Sequence, residues 1–489
     1  MKVRPIAKSS GKNLYEQVAN SIQALIAEGT LQLGDRLPSV RKLHQQMSVS
    51  ISTVLEAYRV LEDRGYIEVR PQSGYYVKQT LAQVPAEPDP SAPSKQPCLV
   101  DASLAMRINL HLQNPNIIKL GAAAPAMELL PLSTLNRLMG QVMRNQPELC
   151  HSYGYISGCE PLRHEIARRL MDAGCSVTPN QMIITNGTTE AVYLSLRAIT
   201  QPGDTVAIES PSYYGFLEMF QSLQLQALEL PTHPRDGLSL EHLENALQQK
   251  KVSACVLVSN FTNPLGSCMS DEKKQQLAQL VGKYQLPLVE DDIYGELYFA
   301  GERPKAIKAF DEWGLVLYCA SFSKTLSPGF RVGWVVPGRY QGRIEQLKLL
   351  VNKETAAAPQ LAIAAFLANG GYDRHLRHLR RAYHTHSVRM RKAISDYFPG
   401  ETKVTRPTGG HVLWVELPPE FDSMQLYKDA CLHNISIAPG LMFSPSGGHR
   451  NCFRLNCGLP WSVEIEAAME KLGYLIKRQL AMKILEFKE

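Results

Sequence analysis

The sequence predicts an α/β protein in two unequal parts: a small helical module closed by a β-hairpin, and a large domain built on a mainly parallel sheet. Three observations carry this reading. The stretch Leu81–Pro97, LAQVPAEPDPSAPSKQP, holds five prolines and almost no large hydrophobes, so it cannot build a core and must divide the chain. Before it, apolar residues fall at helical spacing in short segments. After it, short apolar runs alternate with amphipathic stretches, the pattern of strands buried on both faces with helices between them. At 489 residues the chain exceeds one ordinary core. The expected domains are 1–80, a proline-rich linker at 81–100, and a body at 101–489.

Composition removes several classes. No apolar run approaches the ~20 residues of a bilayer span, and the basic start MKVRPIAKSSGKN has no apolar segment of a secretory signal. Ten cysteines without a C-x-x-C pair point to reduced thiols in a cytoplasmic protein, with neither a disulfide framework nor a metal site. Net charge is +6, and residues 1–80 hold eleven Lys and Arg against seven Asp and Glu. The basic excess therefore sits on the small module, which suits an anionic partner.

In that module, Pro38 and Ser39 open a helix whose inner face is Val40, Leu43 and Met47. A break at Ser48–Ser50 precedes a second helix with Val54, Tyr58 and Leu61 at i, i+4, i+7. Its first turn presents Ser50, Ser52 and Thr53, short hydroxyls suited to phosphate and base contacts. Tyr66–Val69 and Tyr75–Val77 then read as a hairpin with a basic tip at Arg70–Gly74. These pieces, LPS-x-R (Leu37–Arg41), S-x-S-T-V (Ser50–Val54), A-Y-x-x-L (Ala57–Leu61) and S-G-Y-Y-V (Ser73–Val77), closely resemble the winged helix-turn-helix of GntR-type regulators. The resemblance implies binding to double-stranded DNA through Arg36, Ser39, Arg41, Ser50, Ser52, Thr53, Arg70, Gly74 and Tyr75. Where that family most often has arginine this chain has Ile51, which shifts weight onto Arg36, Arg41 and Arg70.

In the body, Val206–Glu209, Ala254–Asn260, Leu286–Asp292 and Leu315–Ser321 read as buried strands. Between two of them, Leu277, Leu280, Val281 and Tyr284 mark a helix. Ligands of such sheets sit beyond the strands' carboxyl ends, and there the polar residues gather: Thr185–Thr189, Ser210–Tyr213, Asn260–Asn263, Asp291–Tyr294 and Ser321–Lys324. Pyridoxal 5′-phosphate (PLP) needs an imine-forming lysine, an anion at its pyridine nitrogen, donors to its phenolic oxygen, a phosphate cup and a flat group on its ring. Lys324 fits the first, with its pKa lowered by burial beside a basic cup. Asp291, favoured over Asp292 by strand register, fits the second, and Asn263 with Tyr294 the third. Ser321, Ser323 and Arg331 (over Arg339 or Arg343) join Gly187, Thr188 and Thr189 as the cup. Tyr213 covers the ring, with Tyr214 as its competitor.

The body from about Ile117 onward resembles fold-type I aminotransferases. The signatures are Y-x-x-x-x-G-x-x-x-L-R (Tyr153–Arg163), T-N-G-T-T-E-A (Thr185–Ala191), P-x-Y (Pro211–Tyr213), N-P-x-G (Asn263–Gly266), D-x-x-Y (Asp291–Tyr294), S-x-S-K, P-x-G-G-x-x-L-W (Pro407–Trp414) and R-L-N (Arg454–Asn456). A GntR-type module joined to such a body resembles the MocR class of regulators. The resemblance implies a smaller α+β C-terminal subdomain from about residue 350. It also implies that Arg454 grips a substrate carboxylate, and that Tyr153 (or Tyr155) reaches the neighbouring subunit's cofactor in a homodimer. The stretch LGAAAPAMELLP (Leu120–Pro131) lacks the glycine usual before the proline of the substrate-facing turn. The histidines, His411 among them, read as ordinary surface or core residues, and the basic run Arg374–Lys392 as a solvated helix face or a second DNA surface. Three functions remain open: a regulator sensing an amino acid, an amine or PLP itself; a working aminotransferase with a DNA-binding appendage; and a PLP-bound scaffold.

Overall fold

The computed structural model describes residues 14–27, 30–31, 34–63, 66–70, 73–77, 85–92, 96–112 and 114–486. They divide into two compact units, each taken by itself.

In the first unit, α1 (Leu14–Ala27), α2 (Val40–Met47) and α3 (Ile51–Asp63) precede the antiparallel hairpin β1 (Ile67–Arg70) and β2 (Gly74–Val77). Ser39 caps α2, its Oγ accepting from the Lys42 N–H at 3.3 Å. Ser48 ends α2 in the left-handed region, φ 55°, and this makes the tight turn into α3. Val54, Tyr58 and Leu61 are fully buried against Val18, Ile22, Leu43 and Met47, while Val40 lies at the edge of that core. The Tyr58 hydroxyl donates to the Pro38 carbonyl at 2.5 Å, so α3 is tied to the start of α2.

The second unit is built on a sheet ordered β3 (Cys98–Leu99), β6 (Gln226–His233), β5 (Thr205–Ser210), β8 (Ala254–Leu257), β9 (Leu288–Asp291), β10 (Val316–Ser321), β11 (Gly333–Val336), β4 (Ile183–Thr185), with β7 (Gly237–Leu238) on β6. From β6 to β10 every pairing is parallel; β3 and β11 run antiparallel to their neighbours. Alternate residues face opposite cores. Val206, Ile208, Val256, Val289 and Leu317 pack under the helix Gly187–Ile199. Ala207, Cys255, Leu257, Leu288 and Val316 pack on the helices Leu240–Gln248 and Asp271–Tyr284. Burial on both faces is why these strands read as unbroken apolar runs. The run at Ala254–Asn260 ends as a strand at Leu257, because the Val258 N–H turns to the Glu209 carboxylate at 3.0 Å.

A four-stranded antiparallel sheet, β12 (Lys403–Val404), β13 (Val412–Glu416), β15 (Cys452–Asn456) and β14 (Ala438–Pro439), forms a smaller subdomain, packed with the helices Ser423–Cys431 and Val463–Glu486. Residues 85–92 run extended along this unit. The Val404 N–H donates to the Ala86 carbonyl at 2.8 Å, and the Thr232 N–H to Ser91 Oγ at 3.0 Å. Lys403 holds Asp89 at 2.7 Å, and Arg235 pairs with Glu87. No helix among the described residues is long and apolar enough to cross a membrane.

Candidate functional site

The carboxyl ends of β4, β5, β8, β9 and β10 open on one cavity of about 170 Å³. Lys324, three residues beyond β10, lines it with Asp291 from the end of β9 and Asn263 and Tyr294 from the following loops. Thr188 and Thr189 enter from the helix after β4, Tyr213 from the turn after β5, and Ser323 and Arg331 from the loop around the lysine. Apolar walls that the sequence did not single out, Val192, Phe216, Met219, Val258 and Ile293, complete it.

Strand register makes several of these placements. Val289 and Asp291 share a face of β9, whereas Glu290 and Asp292 point the other way. Asp292 binds Arg303 at 2.7 Å, Asn260 at 2.8 Å and the Tyr318 hydroxyl at 3.0 Å. Tyr214 turns from the cavity toward Asn109 at 3.4 Å, leaving Tyr213 there, its ring folded over Gly215. Arg339 bonds Gln285 instead. Arg331 is held by the Asn186 carbonyl at 3.0 Å, and a Cβ at Gly187 (φ +77°) would sit 2.9 Å from the Arg331 Cζ. That glycine is required both by its φ and by the guanidinium lying on it. Ser321, at the end of β10, accepts from the Ser323 N–H at 3.3 Å.

Electrostatics follow from burial. Burial, then the charges of Arg454 and Arg331, push the Lys324 ammonium down to about 8, against the opposing pull of Asp291. Burial likewise pushes Asp291 up to about 7. Thr188 Oγ1 and Ser323 Oγ are buried without a hydrogen-bond partner among the described residues. They lie beside a helix N-terminus and a guanidinium, an arrangement suited to the oxygens of a phosphate group.

Arg454, on β15, is fully buried; its Nη1 donates to Asn263 Oδ1 at 2.7 Å and its Nη2 to the Gly121 carbonyl. Lys324 Nζ donates to the Ala123 carbonyl at 2.5 Å. The Leu120–Ala124 segment therefore takes one hydrogen bond from each group, and Arg454 Nε is left buried without a partner among the described residues. Tyr153 is not brought into the cavity; it is 85% exposed, as is Tyr155 at 77%. Of the two readings left open for His411, surface or core, the structure shows core: it is 1% exposed, between Tyr294 and Tyr383. A histidine directly after two glycines and before a strand was the only signal available.

In the first unit, Arg36, Arg41, Ser50 and Ser52 are exposed, and Thr53 and Gly74 are partly so. The hydroxyls also serve the helix: Ser50 Oγ accepts from the Thr53 N–H at 3.1 Å and lies 2.8 Å from Ser52 Oγ. Tyr75 is half-buried, its ring 4.6 Å from that of Tyr58. Of the hairpin tip, the Arg70 side chain, Pro71 and Gln72 lie outside the described residues. Among the described residues, no cluster of His, Cys, Asp and Glu is placed to hold a metal ion.

A helix-turn-helix with a hairpin, followed by a parallel-sheet body with a lysine-centred cavity, defines a regulator-like head on an aminotransferase-like body. Residues 115–472 match the family "Aminotransferase class I and II", and residues 14–77 the family "Bacterial regulatory proteins, gntR family". The chain belongs to the class I and II aminotransferase family and, with its gntR module, to the MocR-type regulators within it. It is 40% identical to the HTH-type transcriptional regulator YdcR of Escherichia coli K12, over 95% of this chain and 99% of that one. With the 2-aminoadipate transaminase of Thermus thermophilus it shares 30% identity over 78% of this chain and 96% of that one. Among solved structures, the α-aminoadipate aminotransferase LysN of Thermus thermophilus, complexed with N-(5′-phosphopyridoxyl)-L-leucine, superposes with a TM-score of 0.72. That match has 28% identity and covers 77% of this chain and 97% of the other.

Proposed function

We propose that the protein is a PLP-dependent DNA-binding transcription regulator whose aminotransferase-like body senses an amino acid or amine. The observation that carries this is the presence, on one chain, of a helix-turn-helix with exposed first-turn hydroxyls and a cavity that gathers Lys324, Asp291, Asn263, Tyr294 and a threonine-arginine cup. The relatives that match this chain end to end are named transcriptional regulators, whereas the transaminases match the body.

In this reading Lys324 attaches the cofactor covalently, and its lowered pKa keeps part of it neutral and nucleophilic near neutral pH. Bound, the cofactor supplies an electron sink for bonds at the carbon bearing the ligand's amine. Asp291 would pair with the ring nitrogen, Asn263 and Tyr294 would donate to the phenolic oxygen, and Tyr213 would cover the ring. Gly187, Thr188, Thr189, Ser321, Ser323 and Arg331 hold the phosphate, with Tyr153 of a second copy completing it in a homodimer. Arg454 takes the ligand's carboxylate, offering the buried Nε–H that has no partner among the described residues, while the Gly121 carbonyl competes at Nη2. Freed from its own bonds, Lys324 can carry a proton at that carbon. On the DNA side, Arg36, Arg41 and the first turn of α3 meet phosphates and base edges, and exposed Ile51 offers an apolar contact to a thymine methyl.

The complete set of cavity residues keeps a second reading alive, an active aminotransferase using an amino acid donor and a 2-oxo acid acceptor. A gel shift on the DNA upstream of the protein's own gene, with and without PLP and a panel of amino compounds, tests the proposal. At least one amino compound is expected to change affinity or complex mobility only when PLP is present. Identical shifts under all conditions, with steady keto-acid formation, would give the case to the enzyme.

A further inference from the structure

Two polar side chains that these roles leave unused stack behind Tyr294, a wall of the cavity. His411, just before β13, is buried, and neither ring nitrogen has a hydrogen-bond partner among the described residues. Tyr383, on the helix Gly371–Tyr397, is fully buried, and its hydroxyl is equally without one. The two rings stack at 5.2 Å with 24° between their planes. On its other side His411 meets Tyr294, a wall of the cavity, at 5.5 Å. Leaving buried polar atoms unpaired is unfavourable; phenylalanine at both positions would fill the same space without that cost.

Gly458 locates the imidazole. A Cβ there would meet the Ala124 carbonyl at 2.8 Å, Asn456 Oδ1 at 2.9 Å and His411 Cδ2 at 2.9 Å. The ring edge and the Ala124 carbonyl thus crowd the same point, one residue on from the Ala123 carbonyl that holds Lys324. Burial, then the charges of Lys324 and Arg454, push His411 down to about 3, so the imidazole is neutral and offers one N–H donor and one acceptor nitrogen.

We infer that His411 and Tyr383 form a side-chain-reading pair that selects amino acids whose side chain ends in oxygen: a carboxylate, an amide or a hydroxyl. The inference rests on the sensor reading above and names its ligand class. An imidazole N–H that feels the charges of Lys324 and Arg454, with a phenol stacked against it, attracts an oxygen acceptor, and the two cations repel an ammonium or guanidinium side chain. A ligand that draws Arg454 from Gly121 and Lys324 from Ala123 displaces the Leu120–Ala124 segment, and the His411 ring edge, with Tyr383 stacked behind it, then borders the space vacated.

The test uses the PLP-loaded full chain, titrated with glutamate, glutamine, aspartate and serine against norvaline, 2-aminobutyrate and lysine, and followed by the absorbance of the bound cofactor. At least one oxygen-bearing acid is expected to bind on the order of tenfold tighter than the apolar comparators, with lysine weakest. In His411→Phe and Tyr383→Phe, which keep the ring volumes, that ratio falls to about one. Cofactor content, the yellow borohydride-reducible species and the norvaline affinity stay unchanged. A wild type without the preference, variants that retain it, or variants that lose the cofactor itself would each overturn the assignment while leaving the sensor intact. If no amino compound perturbs the wild type, the sensor reading falls and takes the pair with it.

Discussion

Lys324 is held as a base-in-waiting by its surroundings. With a folded pKa of about 8 against an ordinary 10.5, the folded chain binds fewer protons than the unfolded chain between those values. This group therefore adds stability as pH rises through that window. Asp291 has the opposite sign: raised from 3.8 to about 7, it holds its proton longer in the folded chain, and its contribution falls as pH climbs through that range. The kinetic consequence is direct. Colour formation on mixing the cofactor-free protein with PLP is expected to accelerate with pH to a half-maximum near 8 and then level off, where an ordinary lysine would keep gaining toward 10.5. Asp291→Asn removes the anion that favours the ammonium and should move that midpoint lower. Lys324→Ala should abolish the borohydride-reducible species. A midpoint near the ordinary lysine value would show that the lysine is not desolvated.

At the scale of elements, the junction between β4 and the helix Gly187–Ile199 carries the phosphate side of the site. Gly187→Ala would force a positive φ on alanine and drive a methyl into Arg331. PLP affinity, measured by equilibrium dialysis, should fall at least about tenfold with the far-ultraviolet spectrum unchanged; retained affinity would mean that the cup is built elsewhere. Legibility also divides at this scale. The central strands were readable because both their faces are buried, and α2, α3 and the hairpin because their caps and spacing agree. Strands β6 and β11 were not singled out: QALELPTH buries the acidic residue Glu229, which Ser210 Oγ meets at 3.1 Å, and GWVV is too short to stand apart from the loop of Lys324. The motif residues of the cavity sat at strand ends and could be named. His411 and Tyr383 could not, since an unpartnered imidazole and phenol differ from ordinary core residues only by what fails to meet them in space.

At the scale of the whole molecule, the exposed Tyr153 gives the proposed homodimer a sharp test. If each site borrows Tyr153 from the other copy, Tyr153→Phe and Lys324→Ala damage sites in complementary ways. Co-expressed as a mixed dimer, the two variants should restore one native-affinity, borohydride-reducible PLP site per pair of chains. Phenylalanine-only dimers should bind about tenfold more weakly, and alanine-only dimers should trap none. Absence of that recovery in verified mixed dimers would confine the site to a single chain.

The Gly121 and Ala123 carbonyls act, for Arg454 and Lys324, as a built-in competitor. For an effector that takes those bonds, the apparent dissociation constant is the intrinsic one divided by the fraction of time the competitor stands aside. The concentration at which such a switch trips can then be reset by side chains of Leu120–Ala124 that never touch the effector, which leaves recognition and threshold free to diverge separately.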